Sequence, residues 1–179
     1  MDATRKISNL ALIGFMGTGK SSVGRLVADQ LHFTYLDTDD VLVARAGKSI
    51  AEIFAQQGEA AFRERECSLV QELASRTRTV IATGGGLPVN PANLASLKTH
   101  ALVMCLWASP ERIWDRVRGQ NHRPLLNDPD AAVNIRALLA AREPFYRQAD
   151  VLVNTEMRSV REVAHQVIHQ FRLALSAHR

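Results

Sequence analysis

The run Gly14-Phe15-Met16-Gly17-Thr18-Gly19-Lys20-Ser21 constrains this chain more than any other stretch, because it completes the pattern G-x-x-x-x-G-K-[ST]. An apolar segment, Leu10-Ala11-Leu12-Ile13, precedes it, and Val23, Leu26, Val27 and Leu31 follow at helical spacing. Strand, glycine loop and helix in that order form the context of a phosphate-binding loop. Gly14, Gly17 and Gly19 let the backbone wrap closely round a phosphate chain because no Cβ intrudes. The exposed N–H groups sit at a helix N-terminus, whose partial positive charge favours an anion. Lys20 is expected to bridge the β- and γ-phosphates and the Ser21 hydroxyl to coordinate Mg²⁺. The nucleotide-binding set read from the loop is Gly17, Thr18, Gly19, Lys20, Ser21 and Ser22.

Taken in order, the chain alternates strand and helix patterns. A first strand over about Ile7 to Ile13 leads through the loop to a helix over about Lys20 to Leu31. A second strand, Phe33-Thr34-Tyr35-Leu36, runs into Asp37-Thr38-Asp39-Asp40, which puts carboxylates at a strand's C-terminal end, where open α/β sheets bind ligands. Val41 to Ala46 reads as a short helix stopped by Gly47. Ser49 and Glu52 form a capping box for the next helix, with Ile50, Ile53 and Phe54 expected to face inward and Gly58 to break it. Phe62, Leu69, Val70 and Leu73 then recur at helical spacing. A third strand, Thr79 to Thr83, ends in Gly84-Gly85-Gly86, three glycines that suit close approach of backbone to a ligand.

Pro91 to Leu97 is a helix by pattern and Ala101 to Trp107 a fourth strand. Ser109-Pro110-Glu111 starts a helix that ends near Arg118-Gly119. From there to about Pro129 the chain is polar and Arg-rich, the candidate for a mobile lid. Asp128-Pro129 opens a helix with Val133, Ile135, Leu138 and Leu139 apolar, which Pro144 is expected to end or kink. Val151-Leu152-Val153 is the fifth strand, and Ser159 with Glu162 caps a last helix, Val160 to about Ser176.

Every strand-to-strand link is long enough for a helical crossover, which predicts an α/β fold with a parallel sheet covered on both faces. The 179 residues suit one domain. No apolar run is long enough to cross a bilayer, and Met1 to Asn9 lacks the apolar core of a signal peptide, so no membrane partner and a cytoplasmic location are expected. Cys67 and Cys105 read as core thiols of a reducing compartment. The net charge is +4, with 18 Arg against 4 Lys, yet no dense basic run is interleaved with aromatics, so no nucleic-acid partner is expected. His122 reads as a solvated loop histidine.

No N-K-x-D base-reading motif of a GTPase is present, and a motor or helicase would need a larger chain. A small domain with a phosphate loop, an acidic strand end and an Arg-rich lid fits a small-molecule kinase, whose lid excludes water so that the γ-phosphate reaches the acceptor. At this point the chain resembles the shikimate kinase family. Besides the loop, the likeness runs through Asp37-Thr38-Asp39, Gly58-Glu59, Phe62-Arg63, Glu66, Thr83-Gly84-Gly85-Gly86, Arg123-Pro124-Leu125-Leu126 and Arg142-Glu143-Pro144-Phe145-Tyr146.

That resemblance implies ATP-dependent phosphorylation of the shikimate 3-hydroxyl, a step towards chorismate and the aromatic amino acids. It also implies a nucleoside-monophosphate-kinase-like fold with a five-stranded parallel sheet in the order 2-3-1-4-5. By it, Asp39 would hold the acceptor hydroxyls and orient or deprotonate the attacking oxygen, and Asp37 would assist Mg²⁺. Arg63 and Arg142 would bind the shikimate carboxylate. Gly84, Gly85 and Gly86 would lie against the acceptor, the last two donating backbone N–H groups. Lys20, Asp39 and Arg123 would be catalytic, Arg123 reaching the transferring phosphoryl group, while Arg116 and Arg158 would flank the adenine. The acceptor-binding region would span residues 37–65 and the lid residues 116–129, in a monomer whose ligands are ATP and shikimate. Thr99-His100 replace a glycine-containing turn before the fourth strand, and Phe145 stands where the family more often has leucine. A gluconate-type sugar-acid kinase, or a nucleotide-binding regulatory module without turnover, would share part of this pattern.

Overall fold

The computed structural model describes residues 5–119 and 130–177. His122, Arg123, the Asp128-Pro129 helix start and most of the expected lid lie outside the described residues. Five parallel strands, β1 (Asn9–Ile13), β2 (Thr34–Asp37), β3 (Thr79–Ala82), β4 (Ala101–Trp107) and β5 (Val151–Asn154), form one sheet in the order 2-3-1-4-5. The helices between them are α1 (Lys20–Leu31), α2 (Thr38–Ala46), α3 (Ile50–Leu73), α4 (Pro91–His100), α5 (Pro110–Val117), α6 (Ala131–Tyr146) and α7 (Val160–Ala177). β1 lies centrally, pairing Leu10 with Val80 of β3 on one side and with Leu102 of β4 on the other.

A strand covered on both faces needs apolar residues at every position, not alternate ones. β4 meets that need throughout, and β1 from Leu10 onward, its buried first residue being Asn9. Ala11, Ile13, Val103 and Cys105 enter one core with the apolar faces of α2 to α6, whereas Leu10, Leu12, Met104 and Leu106 enter a second with Val23 and Val27 of α1 and Val163, Val167 and Phe171 of α7. The sheet is thereby held from both sides. Its C-terminal edge, where β1, β2 and β3 run into the glycine loop, the Asp37 cap and the glycine triplet, faces neither layer.

Several local expectations are corrected. α2 begins at Thr38, not Val41: Asp37 is its cap, with Oδ1 accepting from the Asp39 N–H at 3.1 Å, so Asp39 and Asp40 lie in its first turn, where acidic side chains are favoured. Phe54 is 38% exposed, its ring edge-on to Phe62 at 4.9 Å, because Ile53 takes the buried face and a neighbour lies about 100° further round a helix. The capping box of Ser49 and Glu52 is present, and Gly58 (φ 80°, ψ 167°) breaks the helical backbone as expected, so that α3 consists of two helical segments joined at a kink. Thr99-His100 form the last turn of α4 and not a separate loop.

Pro144 lies inside α6, which continues beyond it to Tyr146, although proline has no N–H to contribute to the helical ladder. Val133 is 61% exposed, two positions from buried Ile135 and so on the far side of the helix. Cys67 is half-buried with Asn90 Nδ2 at 3.1 Å, whereas Cys105 is buried in the core; both are free thiols. Among the described residues no helix is long and apolar enough to cross a membrane.

Candidate functional site

The glycine loop closes the end of β1 and delivers its backbone to the N-terminus of α1. Lys20 Nζ donates to the carbonyls of Gly14 and Phe15, each at 2.8 Å, which holds the ammonium over the loop. Thr18, buried, donates its hydroxyl to the Phe15 carbonyl at 2.8 Å and stiffens the same turn. Arg116 of α5 reaches across to the Gly17 carbonyl at 3.2 Å while bonding Thr155 Oγ1 at 2.9 Å and its carbonyl at 2.7 Å. A cleft of about 320 Å³ opens here, lined by Met16, Gly17, Gly19, Lys20, Ser21, Ser22, Asp37, Asp39, Thr83, Gly84, Gly85 and Arg116.

Asp37 has two tasks in this cleft. One oxygen caps α2, and the other accepts from Ser21 Oγ at 3.0 Å and from the Tyr35 hydroxyl at 3.2 Å. Burial, helped by the Asp37 charge, pushes the Tyr35 phenol up to about 12, so it remains a donor. A hydroxyl and a carboxylate are hard oxygen donors of the kind Mg²⁺ takes when it keeps several waters and substrate phosphates, so Ser21 and Asp37 fit such an ion. Among the described residues no group of three or more His, Cys, Asp or Glu could hold a metal without such help.

The glycine triplet follows β3 and lies between the carboxylates and two arginines. The Gly84 N–H donates to Thr38 Oγ1 at 2.9 Å. A Cβ on Gly84 would collide with Asp39 Oδ1, and one on Gly86 would come within 2.6 Å of Arg63 Nη1. At Gly85 a Cβ would meet Arg142 Nη1 at 3.6 Å, an ordinary contact. Backbone therefore passes between charged side chains, closely enough at Gly84 and Gly86 that a side chain there would displace Asp39 or Arg63.

Beyond the triplet is a second cavity of about 440 Å³, to which Glu59, Arg63, Gly86, Val89, Asn90, Leu138, Ala141 and Arg142 contribute. Arg63 is oriented by Glu59 at 2.8 Å and by Glu66 at 2.6 Å. The Glu59 pair is open to water and of little energetic weight, whereas Glu66 is 1% exposed. Burial raises the Glu66 pKa; Arg63 opposes that rise, and Asp39 adds to it. Arg142 lies over the Phe15 ring, 5.9 Å from its centroid.

The structure thus brings together Gly17, Gly19, Lys20, Ser21 and Ser22 with Asp37, Asp39, Gly84, Gly85 and Arg116, and beside them Arg63, Gly86 and Arg142, whereas the Thr18 side chain is buried beneath the loop and does not line the cleft. Arg158 lines neither cavity, donating to the Asn154 carbonyl at 3.0 Å and to Gln166 Oε1 at 2.5 Å. Arg123 is outside the described residues. Thr38, Glu66 and Tyr146 had no role read from the sequence. Glu66 lies three positions after Arg63 on one helix face, a spacing that signals an ion pair. Tyr146, whose hydroxyl donates to the Gly85 carbonyl at 2.7 Å across 61 positions, has no comparable local signal.

A family model described as "Shikimate kinase" matches residues 16–172. The curated shikimate kinase of Symbiobacterium thermophilum is 44% identical over 165 residues, which cover 90% of this chain and 95% of that protein. That of Cupriavidus pinatubonensis is 42% identical over 167 residues, covering 93% and 87%. Among solved structures, shikimate kinase from Acinetobacter baumannii in complex with shikimate superposes with a TM-score of 0.87 at 35% identity, covering 98% of this chain and 97% of that one. A gluconokinase from Sinorhizobium meliloti gives 0.61 at 15% identity, covering 97% of each chain, a likeness of fold alone.

Proposed function

The chain belongs to the shikimate kinase family, and from that premise we propose how its residues divide the work of moving the γ-phosphoryl group of ATP to the 3-hydroxyl of shikimate. The reaction is an ATP-dependent phosphoryl transfer to an alcohol, a step of chorismate and aromatic amino acid synthesis. The observation that carries the division of roles is the shared cleft: Asp39, Gly84 and Gly85 line the same space as Lys20 and Ser21, so acceptor and phosphate donor meet without a long traverse.

In this reading the loop from Gly17 to Ser22 cradles the phosphates, and Lys20 swings from its carbonyl partners to the β- and γ-phosphates. Asp39 accepts hydrogen bonds from the acceptor diol and takes or shares the proton of the attacking oxygen. Arg63 and Arg142 hold the carboxylate with planar guanidinium forks, and the N–H groups of Gly85 and Gly86 complete the acceptor side. Mg²⁺ held near Ser21 and Asp37 would supply charge neutralisation on the phosphates. Arg116 serves the nucleotide from its place on α5, with Arg158 on the far side and Arg123 meeting the transferring phosphoryl group as its charge spreads.

The protein works as one kinase domain, with residues 37–65 serving the acceptor and residues 116–129 forming the lid. It acts as a cytoplasmic monomer, its partners ATP and shikimate and not nucleic acid. A sugar-acid kinase is the second reading, and a regulatory module the third. An assay coupling ADP release to NADH oxidation, run with shikimate and separately with gluconate, tests all three. Turnover with shikimate alone supports the proposal; turnover only with gluconate, or none with either, removes it.

A further inference from the structure

Four hydrogen bonds hold the Gly84-Gly85-Gly86 turn. The Gly84 N–H is bonded to Thr38, the Gly84 carbonyl accepts from the Leu87 N–H at 3.2 Å, the Gly85 carbonyl accepts from the Tyr146 hydroxyl at 2.7 Å, and the Gly86 carbonyl accepts from the Val89 N–H at 3.1 Å. The first, second and fourth fix the ends of the turn, while the third grips the peptide unit between two glycines, where rotation meets little steric resistance. In a trans peptide the carbonyl of one residue and the N–H of the next point in opposite directions. Anchoring the Gly85 oxygen therefore also sets where the Gly86 N–H points, and that N–H is one of the two donors assigned above to the acceptor.

The tyrosine is packed into the core and also borders a cavity. Its side chain is 2% exposed, yet it also forms one wall of a cavity of about 200 Å³ shared with Cys105, Trp107 and Leu152, so there is space beside it. The hydroxyl bond is what ties the end of α6 to the glycine turn. Burial pushes the phenol up to about 12, against the opposing charge of Arg142 and a hydrogen bond with that side chain, so the group stays a donor throughout the range in which the enzyme would be assayed.

We propose that Tyr146 is a positioning residue for the acceptor, its hydroxyl locking the Gly85–Gly86 peptide in the orientation that binds shikimate. This rests on the acceptor site described under Proposed function. The bland alternative, a buried tyrosine whose hydroxyl merely needs a partner, predicts lost stability without a selective effect on either substrate.

Tyr146→Phe keeps the ring and removes only the hydroxyl. The expected result is a KM for shikimate, and a calorimetric Kd without nucleotide, raised roughly tenfold, with the KM for ATP changed less than about twofold. An unchanged shikimate KM, or equal losses for both substrates, would overturn the proposal. Wild-type protein without turnover on shikimate would sink the acceptor site itself and this inference with it, whereas an active wild type with an indifferent Tyr146→Phe removes the tyrosine's role alone.

Discussion

Gly84 and Gly86 exclude a side chain for different partners. A Cβ at 84 strikes the Asp39 carboxylate, and at 86 it comes within 2.6 and 2.7 Å of the two terminal nitrogens of Arg63, the far end of a flexible side chain. Gly86→Ala is therefore expected to leave the melting temperature nearly unchanged, since the guanidinium can yield, but to raise the shikimate KM roughly tenfold, about 1.4 kcal/mol of binding. Gly85→Ala, with its nearest neighbours at 3.6 Å, should fold as well and perturb Arg63 less. Equal KM values for Gly86→Ala and wild type would show that Arg63 does not serve the acceptor. At the phosphate loop, Lys20→Met should abolish phosphoryl transfer while the circular dichroism spectrum and melt stay native, because no other side chain in this reading replaces its ammonium at the phosphates. Near-normal turnover by the folded variant would falsify the role given to Lys20.

At the scale of elements, the end of the sheet away from the cleft has its own polar junction. Asn9 on β1 donates through Nδ2 to the Arg76 carbonyl at 2.7 Å, lies 3.0 Å from His100 Nδ1 at the end of α4, and accepts from the Thr79 N–H at 3.0 Å. Its amide orientation is set by the backbone, so His100 Nδ1 must act as the acceptor and the ring proton sits on Nε2, a buried atom without a hydrogen-bond partner among the described residues. Burial first, and then the Arg5 charge, lower the His100 pKa. With the folded-state pKa below the unfolded value of about 6.5, the unfolded chain takes the proton first, so this contribution to stability is complete above that value. It is lost as pH falls from there through the folded pKa. Urea unfolding between pH 8 and 5 should show that decline, and His100→Gln should flatten it; an identical slope in the variant would mean that other groups set it.

Across the whole molecule, both faces of the sheet are covered, so the functional groups concentrate at its C-terminal edge, fed by β1, β2, β3, α1, α2, α3, α5 and α6. A ligand that binds this native arrangement and not the unfolded chain stabilises it by mass action. ATP at about 100 times its Kd should contribute ~2.7 kcal/mol. For a chain of this length that is a rise of roughly 5–10 °C in melting temperature. Shikimate should add a separate increment, and both are measurable by scanning calorimetry. A melt indifferent to ATP at saturating concentration would contradict the nucleotide site.

What the sequence determined by itself lies in contiguous or short-period patterns. The phosphate loop is eight successive residues, the capping boxes span three positions, and the buried strands read as apolar runs bounded by turns, so local chemistry sufficed to announce them. Strand order and the substrate side came through the family likeness of an ordered set of motifs, and the observed order agrees with it. The start of α2 escaped because Asp37-Thr38-Asp39-Asp40 suits both a strand-end turn and a helix's first turn; the Asp37 bond to the Asp39 N–H is common to both, and only the helical backbone from Thr38 onward separates them. The fully apolar strands could not reveal which core each side chain would enter, since period-two alternation carries no contrast when both faces are buried. Tertiary structure alone decided that Tyr146 would grip Gly85 across 61 positions and that Glu66, whose pairing with Arg63 the spacing signals, would be buried. Contacts that close over tens of residues are selected by the shape of the packed layers, and individual residue types leave no local trace of them.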